Sequence, residues 1–193
     1  MHPLSREPSE LALAFVNTAP TGRAPDAIAN VEGLSRWLTG AGVIQAESPT
    51  PLSSPALART VLSEAHSLRF AIRELLRSRA ASAPPAPQFV YAINRVLRAA
   101  PTTKSLEVVD SSLELRTVRT GGGSVGVLVP PAEAAARLLT RVDPARLRLC
   151  AAEDCTRWFF DTSKGGRRRW CSMSKCGNRA KATRHRRRRA HTA

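Results

Sequence analysis

Four cysteines, all that the chain contains, occur as two pairs of identical spacing. Four residues separate Cys150 from Cys155 and Cys171 from Cys176, and fifteen residues lie between the two pairs. Thiolates suit Zn²⁺, which in structural sites is bound by four tetrahedrally arranged ligands and keeps no position open for water or substrate. The spacing therefore predicts one structural zinc ion per chain, held by Cys150, Cys155, Cys171 and Cys176.

Three other arrangements of these thiols stay open at this point. They could form two disulfides, they could be buried and unrelated, or His185 or His191 could replace one cysteine at the metal. Disulfides persist in oxidising compartments, whereas residues 1–8 are polar and contain no apolar signal segment. No stretch approaches the roughly 20 apolar residues of a membrane span. We therefore expect a cytoplasmic protein with no membrane partner.

The positive charge of the chain is concentrated around and beyond the cysteines. The net charge is +15, and residues 150–193 contain thirteen Lys and Arg but only three Asp and Glu. This surplus predicts a polyanionic partner, and a run of nearly pure arginine suits phosphates better than base edges. We expect DNA, with an RNA-binding or ribosome-associated module as the alternative and a solvated tail as a third interpretation. The residues predicted to contact nucleic acid are Arg157, Arg167, Arg168, Arg169, Lys175, Asn178, Arg179, Lys181, Arg184, Arg186 and Arg187.

Some of these side chains have a second interpretation. A zinc ion held by four thiolates leaves a net negative charge, which the cations at residues 167–169, Lys175 and Arg179 could offset. Asn178 could contact a base, or it could cap the start of a helix.

The region before the cysteines presents no catalytic constellation, and we expect that the protein is not an enzyme. Its histidines are isolated, and the glycines at 121–123 fit a hairpin turn better than a phosphate-binding loop. Polar residues beside apolar stripes could line a pocket for a small-molecule effector, or they could be exposed helix faces and turn caps. These candidate pocket residues are Asn17, Arg69, Arg73 and Asn94.

Two motifs resemble a known family. The run Cys176-Gly177-Asn178-Arg179 follows Trp158-Phe159-Phe160 and Trp170-Cys171, and residues 11–18 read LALAFVNT. This combination resembles the CGNR zinc-finger family of stress-induced bacterial transcriptional regulators, in which the finger follows an ABATE domain. The resemblance implies a regulator with a zinc finger that binds DNA, and it extends over nearly the whole chain.

The periodicity of apolar residues predicts the elements that position these groups. Helices are expected over 26–38, 55–80, 88–99 and 132–140, and strands over 106–109, 113–118 and 125–129, the last two joined by a turn at 121–124. Residues 11–18 fit a helix or a buried strand. Residues 48–55 read as a linker, 158–160 as a strand over the metal, and Ser172 or Ser174 as the cap of a basic helix.

The predicted fold class is α+β: a helical N-terminal domain with a small antiparallel sheet, followed by a four-cysteine zinc-finger module that ends in a basic helix. The expected domains are residues 1–143, for sensing or dimerisation, and residues 144–193, for zinc and DNA. A homodimer would suit a palindromic DNA site, although nothing in the sequence requires one.

Overall fold

The structure, a computed structural model, describes residues 8–22, 24–45, 51–119, 121 and 123–191. Within them it confirms the predicted α+β class. The helices are α1 (Pro8–Val16), α2 (Val31–Gly40), α3 (Pro55–Ala80), α4 (Pro87–Leu97), α5 (Val129–Arg141) and α6 (Asn178–His191). The strands are β1 (Thr102–Val109), β2 (Ser112–Arg119), β3 (Leu147–Leu149) and β4 (Trp158–Phe160). None of the described helices is long and apolar enough to cross a membrane.

The central element is α3, whose 26 residues span about 39 Å. Its apolar residues recur at helical spacing, so that Val61, Leu68, Ile72 and Leu76 face the core and are almost completely buried. The helices α1, α2, α4 and α5 pack around it, and α1 also packs closely against α5. One hydrophobic core therefore organises the N-terminal part of the chain.

The segment that could have been a helix or a strand is helical, because α1 spans Pro8–Val16. The second helix begins later than predicted, at Val31 rather than at residue 26. The side chain of Asn30 caps it by accepting a hydrogen bond from the backbone N–H of Gly33 at 2.8 Å. The Asp26 carboxylate accepts the N–H of Ile28 in a local turn before this helix and pairs with Arg69.

The strand predicted over 125–129 is wrong, as is the hairpin turn at 121–124. Residues Ser124–Leu128 form a 3₁₀ turn that packs against α3 and leads into α5. Pro130 and Pro131 are accommodated in the first turn of α5, where a proline costs no hydrogen bond. A short apolar run fits a buried helical segment as well as a strand, and packing against α3 decides the outcome here.

The actual hairpin consists of β1 and β2, joined by Asp110 and Ser111, both of which have positive φ angles of 48° and 66°. Two-residue turns of this conformation match the twist of antiparallel strands. On one face of the hairpin, Leu106 pairs with Leu115 and Val108 with Leu113. These four side chains are 64–76 % exposed. The hairpin thus presents an apolar face that no described part of this chain covers.

The predicted linker at 48–55 falls partly outside the described residues, which resume with a 3₁₀ turn at Pro51–Ser53. The predicted strand at 158–160 is confirmed as β4, which pairs antiparallel with β3. The predicted cap is confirmed at Ser172, whose side chain accepts the N–H of Lys175 at the start of a π turn, Met173–Gly177. This π turn runs directly into α6.

Candidate metal centre and basic surface

The fold brings the four cysteines together. Their Sγ atoms all lie within 4.8 Å of one another. The distance is 3.8 Å from Cys155 to Cys171 and 3.6 Å from Cys171 to Cys176. Four thiolates about 2.3 Å from one zinc ion at tetrahedral corners are about 3.8 Å apart, whereas a disulfide requires about 2.05 Å. The geometry therefore fits a tetrahedral metal site, and all four cysteines are free of disulfides.

Backbone hydrogen bonds place the two cysteine pairs. The β3–β4 pairing continues as the N–H of Cys150 donates to the carbonyl of Arg157 at 2.9 Å. The N–H of Cys171 donates to the Sγ of Cys150 at 3.4 Å, which joins the two knuckles. On the other side, Cys176 lies in the π turn, where the N–H groups of Cys176 and Gly177 both donate to the carbonyl of Ser172. Single π turns often occur at functional sites.

The thiols influence one another strongly. Burial acts to raise the pKa of Cys155, but hydrogen bonds from the Arg157 N–H, Thr21 and the neighbouring thiols outweigh it and lower the pKa to about 7. Burial raises the pKa values of Cys171 and Cys176, and the sulfurs of Cys150 and Cys155 add to this rise, although the Cys171 thiol acts to lower the pKa of Cys176. Ionisation of one thiol therefore opposes ionisation of the next, and a divalent cation among them is what allows all four to be thiolates.

Asp161 organises the loop between the knuckles, and the sequence analysis did not single it out. Its carboxylate is fully buried and accepts the N–H and Oγ of Ser163 at 2.9 and 2.6 Å and the N–H of Arg168 at 2.7 Å. The Ser163 hydroxyl, with the backbone donors and the nearby Arg148 cation, holds the pKa of Asp161 below its usual range. An Asp that follows a strand and precedes Thr-Ser was the available signal, because such residues form local turns.

Three of the residues predicted to contact nucleic acid, Arg168, Arg169 and Arg179, lie beside the metal centre. The guanidinium of Arg168 donates to the carbonyls of Trp170 and Cys171 and lies 5.2 Å from the ring centroid of Phe159. Arg169 stacks over Trp170 at 5.5 Å. Arg179 donates to the Sγ of Cys176 at 3.9 Å. The interpretation of these arginines as counter-charges to the thiolates therefore has direct geometric support for Arg179.

The remaining predicted contacts lie at the surface. Arg157, Arg167, Lys175, Asn178, Lys181 and Arg184 are all exposed. Asn178 is the first residue of α6 and has helical backbone angles, so that the cap of this region is Ser172 instead. The side chains of Arg186 and Arg187, and of the alternative ligands His185 and His191, lie outside the described residues.

Asn17, a candidate pocket residue, instead holds the zinc knuckle. Its Nδ2 donates to the carbonyl of Trp158 and its Oδ1 accepts the N–H of Trp158, both at 2.8 Å. The side chain of Thr156 donates to the carbonyl of Pro20 at 2.7 Å, and its N–H donates to Thr21 at 3.0 Å. The end of α1 and the loop after it are therefore bonded to the stretch between Cys155 and β4.

Arg73, another candidate pocket residue, strengthens the same connection. Its guanidinium donates to the carbonyl of Val16 at 2.9 Å and to that of Thr156 at 3.0 Å, which links α3, α1 and the knuckle. Arg69 forms a two-pronged ion pair with Asp26, at 2.6 and 2.5 Å, and donates to Thr18 at 3.0 Å. Both arginines are buried and satisfied by protein groups.

Asn94 lies apart from the other three candidates, in a separate cavity between α3, α4 and α5. Asn17 lines an open groove beside the metal centre, together with Arg157, Lys175 and Arg179. The structure therefore does not bring Asn17, Arg69, Arg73 and Asn94 to one pocket. Polar residues beside apolar stripes indicate that polar side chains make contacts in the protein interior. The sequence alone does not show whether the partner in such a contact is another part of the protein or a ligand.

Comparison with protein-family models gives two matches. Residues 9–142 match the ABATE family, described as "Putative stress-induced transcription regulator", and residues 146–189 match the CGNR zinc finger. No curated protein matches the chain significantly. The finger match coincides with the four clustered cysteines, whose distances fit a four-thiolate zinc site. The chain therefore belongs to the ABATE family and carries a CGNR zinc finger that holds one structural zinc ion.

Proposed function

We propose that this protein is a transcriptional regulator that binds DNA through its zinc finger and the basic helix α6. The observation that carries the proposal is the charge of α6: its 14 residues include seven Arg and Lys and no acidic residue. Its main neighbour is the π turn that holds Cys176, and so the helix projects from the metal centre. A helix of about 21 Å with this many cations in its sequence suits the phosphates along a DNA groove.

The zinc finger would extend this basic surface. Arg157 and Arg167 are exposed on the segments between the two cysteine pairs, and Lys175 lies in the π turn immediately before α6. Arg179, at the first turn of α6, is held near the Cys176 thiolate and would neutralise the zinc centre as well as approach a phosphate. Phosphate contacts supply affinity and salt dependence but little sequence information. The exposed Asn178 is the best candidate for a base contact.

The role of zinc in this proposal is structural. A zinc ion that binds Cys150, Cys155, Cys171 and Cys176 stabilises two short knuckles that have few apolar contacts of their own. With four thiolates no coordination position stays open for water or substrate, and so the proposed function is not enzymatic. Reduced thiolates and a DNA partner both belong in the cytoplasm of a bacterium, which is the location we propose.

We assign residues 1–143 to sensing and dimerisation and residues 144–193 to zinc and DNA. For dimerisation, the apolar hairpin face of Leu106, Val108, Leu113 and Leu115 is the proposed contact with a second copy. Exposed apolar patches mark interaction sites, and an isolated two-stranded hairpin is only marginally stable in water. Sedimentation velocity should detect a dimer that the double substitution Leu106→Ser, Leu115→Ser converts to a monomer. A wild-type protein that is already monomeric would contradict the proposed dimer.

The proposal is tested by measuring the zinc content of the wild type and of Cys176→Ser, and then the anisotropy of a labelled DNA duplex with and without chelator. We expect one zinc per wild-type chain, less in the variant, and weaker DNA binding after zinc is removed. Binding that is unchanged after removal would contradict a zinc-dependent interface. An RNA competitor more effective than DNA of the same length would favour the RNA-binding alternative over the DNA regulator.

A further inference from the structure

A cavity of about 340 Å³ lies between α3, α4 and α5, away from the metal centre. Apolar side chains form most of its wall, including Leu75, Val90, Ile93 and Leu139. Its volume lies at the lower end of the range of small-molecule sites. At about 30 Å³ for each water-sized group, it has room for a ligand of roughly ten non-hydrogen atoms.

The cavity has few polar groups, and these differ in whether their hydrogen-bonding atoms have partners. Ser78 and Thr140 are both satisfied, since their hydroxyls donate to the carbonyls of Glu74 and Ala136 one helical turn earlier. The Nε of Arg79, in contrast, is shielded from solvent and has no hydrogen-bond partner among the described residues. The side chain of Asn94 is half-buried and also lines the cavity. Buried donors without acceptors are costly, and a ligand that supplies an acceptor would remove that cost.

The charge of the cavity defines the ligand further. Of the described residues that line the cavity, Arg79 is the one that carries a charge, and none of them is an Asp or Glu that could pair with its guanidinium. A cation at one side of an apolar cavity favours a ligand with one anionic group and an apolar body. A carboxylate fits both the unpartnered Arg79 Nε and the amide of Asn94.

We propose that this cavity is the binding site for a small monocarboxylic acid with an apolar chain or ring. The carboxylate accepts hydrogen bonds from Arg79 and Asn94, and the apolar body packs against Leu75, Ile93 and Leu139. The inference goes beyond the proposed DNA binding and does not depend on it.

The position of Arg79 connects this site to the finger. Its Nη2 donates to the carbonyl of Val142 at 3.0 Å, and Val142 lies at the end of α5, just before the segment that leads to β3 and Cys150. Arg73 lies six residues earlier on the same helix and donates to Thr156 beside the knuckle. A bound carboxylate would therefore compete with the Val142 carbonyl for hydrogen bonds from Arg79. This competition would change the contacts of the segment that leads to the first zinc ligand, as an effector is expected to do.

The test uses the zinc-loaded chain and three probes, hexanoate, octanoate and benzoate, each beside its neutral amide. Isothermal titration and thermal shift are measured for the wild type, Ala136→Leu, Val90→Phe, Arg79→Gln and the matched charge control Arg98→Gln. Ala136→Leu and Val90→Phe fill the cavity from different helices, so that either suffices if the other fails to fold. Arg98 is exposed and lies outside the cavity lining.

We expect at least one carboxylate to bind saturably and about tenfold or more tightly than its amide. Filling the cavity should abolish the binding, Arg79→Gln should remove the preference for the carboxylate, and Arg98→Gln should change neither. The proposal is overturned if no probe binds saturably at millimolar concentration. It is equally overturned if the amides bind as well as the acids, or if the filled variants bind unchanged.

Discussion

Asn17 gives the β4 backbone the pair of hydrogen bonds that a neighbouring strand would give. Its amide both donates to and accepts from Trp158 at 2.8 Å, and it belongs to the LALAFVNT motif of the ABATE domain. Few side chains can make this reciprocal pair, because it needs a donor and an acceptor side by side. The motif therefore has a physical role in this protein: it attaches the zinc finger to the N-terminal domain.

Replacing Asn17 by alanine leaves both backbone groups of Trp158 without these partners. We expect Asn17→Ala to lower the free energy of unfolding by about 2–3 kcal/mol, since unsatisfied buried polar groups cost about 1–3 kcal/mol each. Chemical denaturation of the zinc-loaded chain measures this change. Asn178→Ala, at an exposed position, is the matched control and should differ from the wild type by less than about 0.5 kcal/mol. Equal stability of the two variants would show that the Asn17 bonds contribute nothing.

The ion pair of Arg69 with Asp26 predicts a pH dependence. Burial acts to raise the pKa of Asp26, but the hydrogen bonds from Arg69 and the Ile28 N–H, with the Arg69 charge, lower it below the ordinary 3.8. A lowered pKa in the folded state stabilises the protein above the ordinary value, and this contribution is lost as pH falls through the folded pKa. Asp26→Asn should therefore destabilise the chain by about 2–3 kcal/mol near neutral pH.

The same variant should approach the wild type in acid. The stability difference between Asp26→Asn and wild type should be constant above about pH 5 and shrink below about pH 4. Melting temperatures of both proteins across this range measure it, and acid release of zinc acts on both alike. A difference that grows as pH falls would contradict the assigned sign.

At the scale of elements, α6 is the clearest case of a helix whose composition does not suit a hydrophobic core. It has seven cations and no acid, and its mean hydropathy is far too low for burial. The apolar faces of α3 and α5, in contrast, are completed within the chain. The hairpin β1–β2 resembles neither α6 nor the core helices, because it has an apolar face and that face is exposed.

The charges of α6 predict a salt dependence that can be assigned to individual residues. If Lys181 and Arg184 each contact a phosphate, the double variant Lys181→Gln, Arg184→Gln should reduce the slope of log K against log salt by about 1.8, at about 0.9 per contact. Lys104→Gln, an exposed cation on β1, is the matched control and should leave the slope unchanged. Anisotropy titrations at several salt concentrations provide the slopes. A slope that responds equally to both variants would rule out α6 as the specific interface.

At the scale of the whole molecule, the finger and the N-terminal domain share one core. Leu147 of β3 and Trp158 of β4 are 2 % exposed and pack with Phe15, Leu68 and the other residues of the main cluster. Phe159, the next residue, packs with the cysteines instead. Consecutive residues of one strand thus face the two parts of the molecule, as the alternation of side chains in a strand requires. We therefore expect zinc binding to be coupled to the stability of the whole chain.

We therefore expect the chain to unfold in a single cooperative transition. Removal of zinc should lower the temperature of that transition rather than the temperature of a separate, minor transition of the finger. Trp158→Ala should have a similar effect, with a loss of about 3–5 kcal/mol, because it opens a cavity between the domains. Differential scanning calorimetry with and without chelator distinguishes one cooperative transition from two independent ones. Phe160→Ala, a half-buried neighbour on the same strand, is the control and should cost less. Two independent transitions, with the larger unaffected by chelator, would disprove the coupling.

The sequence by itself determined the metal centre and most of the helices. Two matched cysteine pairs indicate their ligand chemistry without a structure, and the spacing of Leu68, Ile72 and Leu76 on α3 shows a buried helix face directly. The strand over 158–160 and a serine cap at 172 or 174 also follow from local patterns, and the structure shows that Ser172 is the cap. These features were predictable because each depends on residues that are near one another in the chain.

Only the tertiary structure decided the features that depend on distant neighbours. The apolar run at 125–129 could be a strand or a helix, and its packing against α3 made it helical. Asn17 and Arg73 could have lined a pocket, but Trp158 and Thr156, which lie far along the chain, supply their partners. The chemical type of a side chain determines which groups it can bind. The tertiary structure determines which of those groups lies beside it, and this depends on contacts between residues that are distant in the sequence.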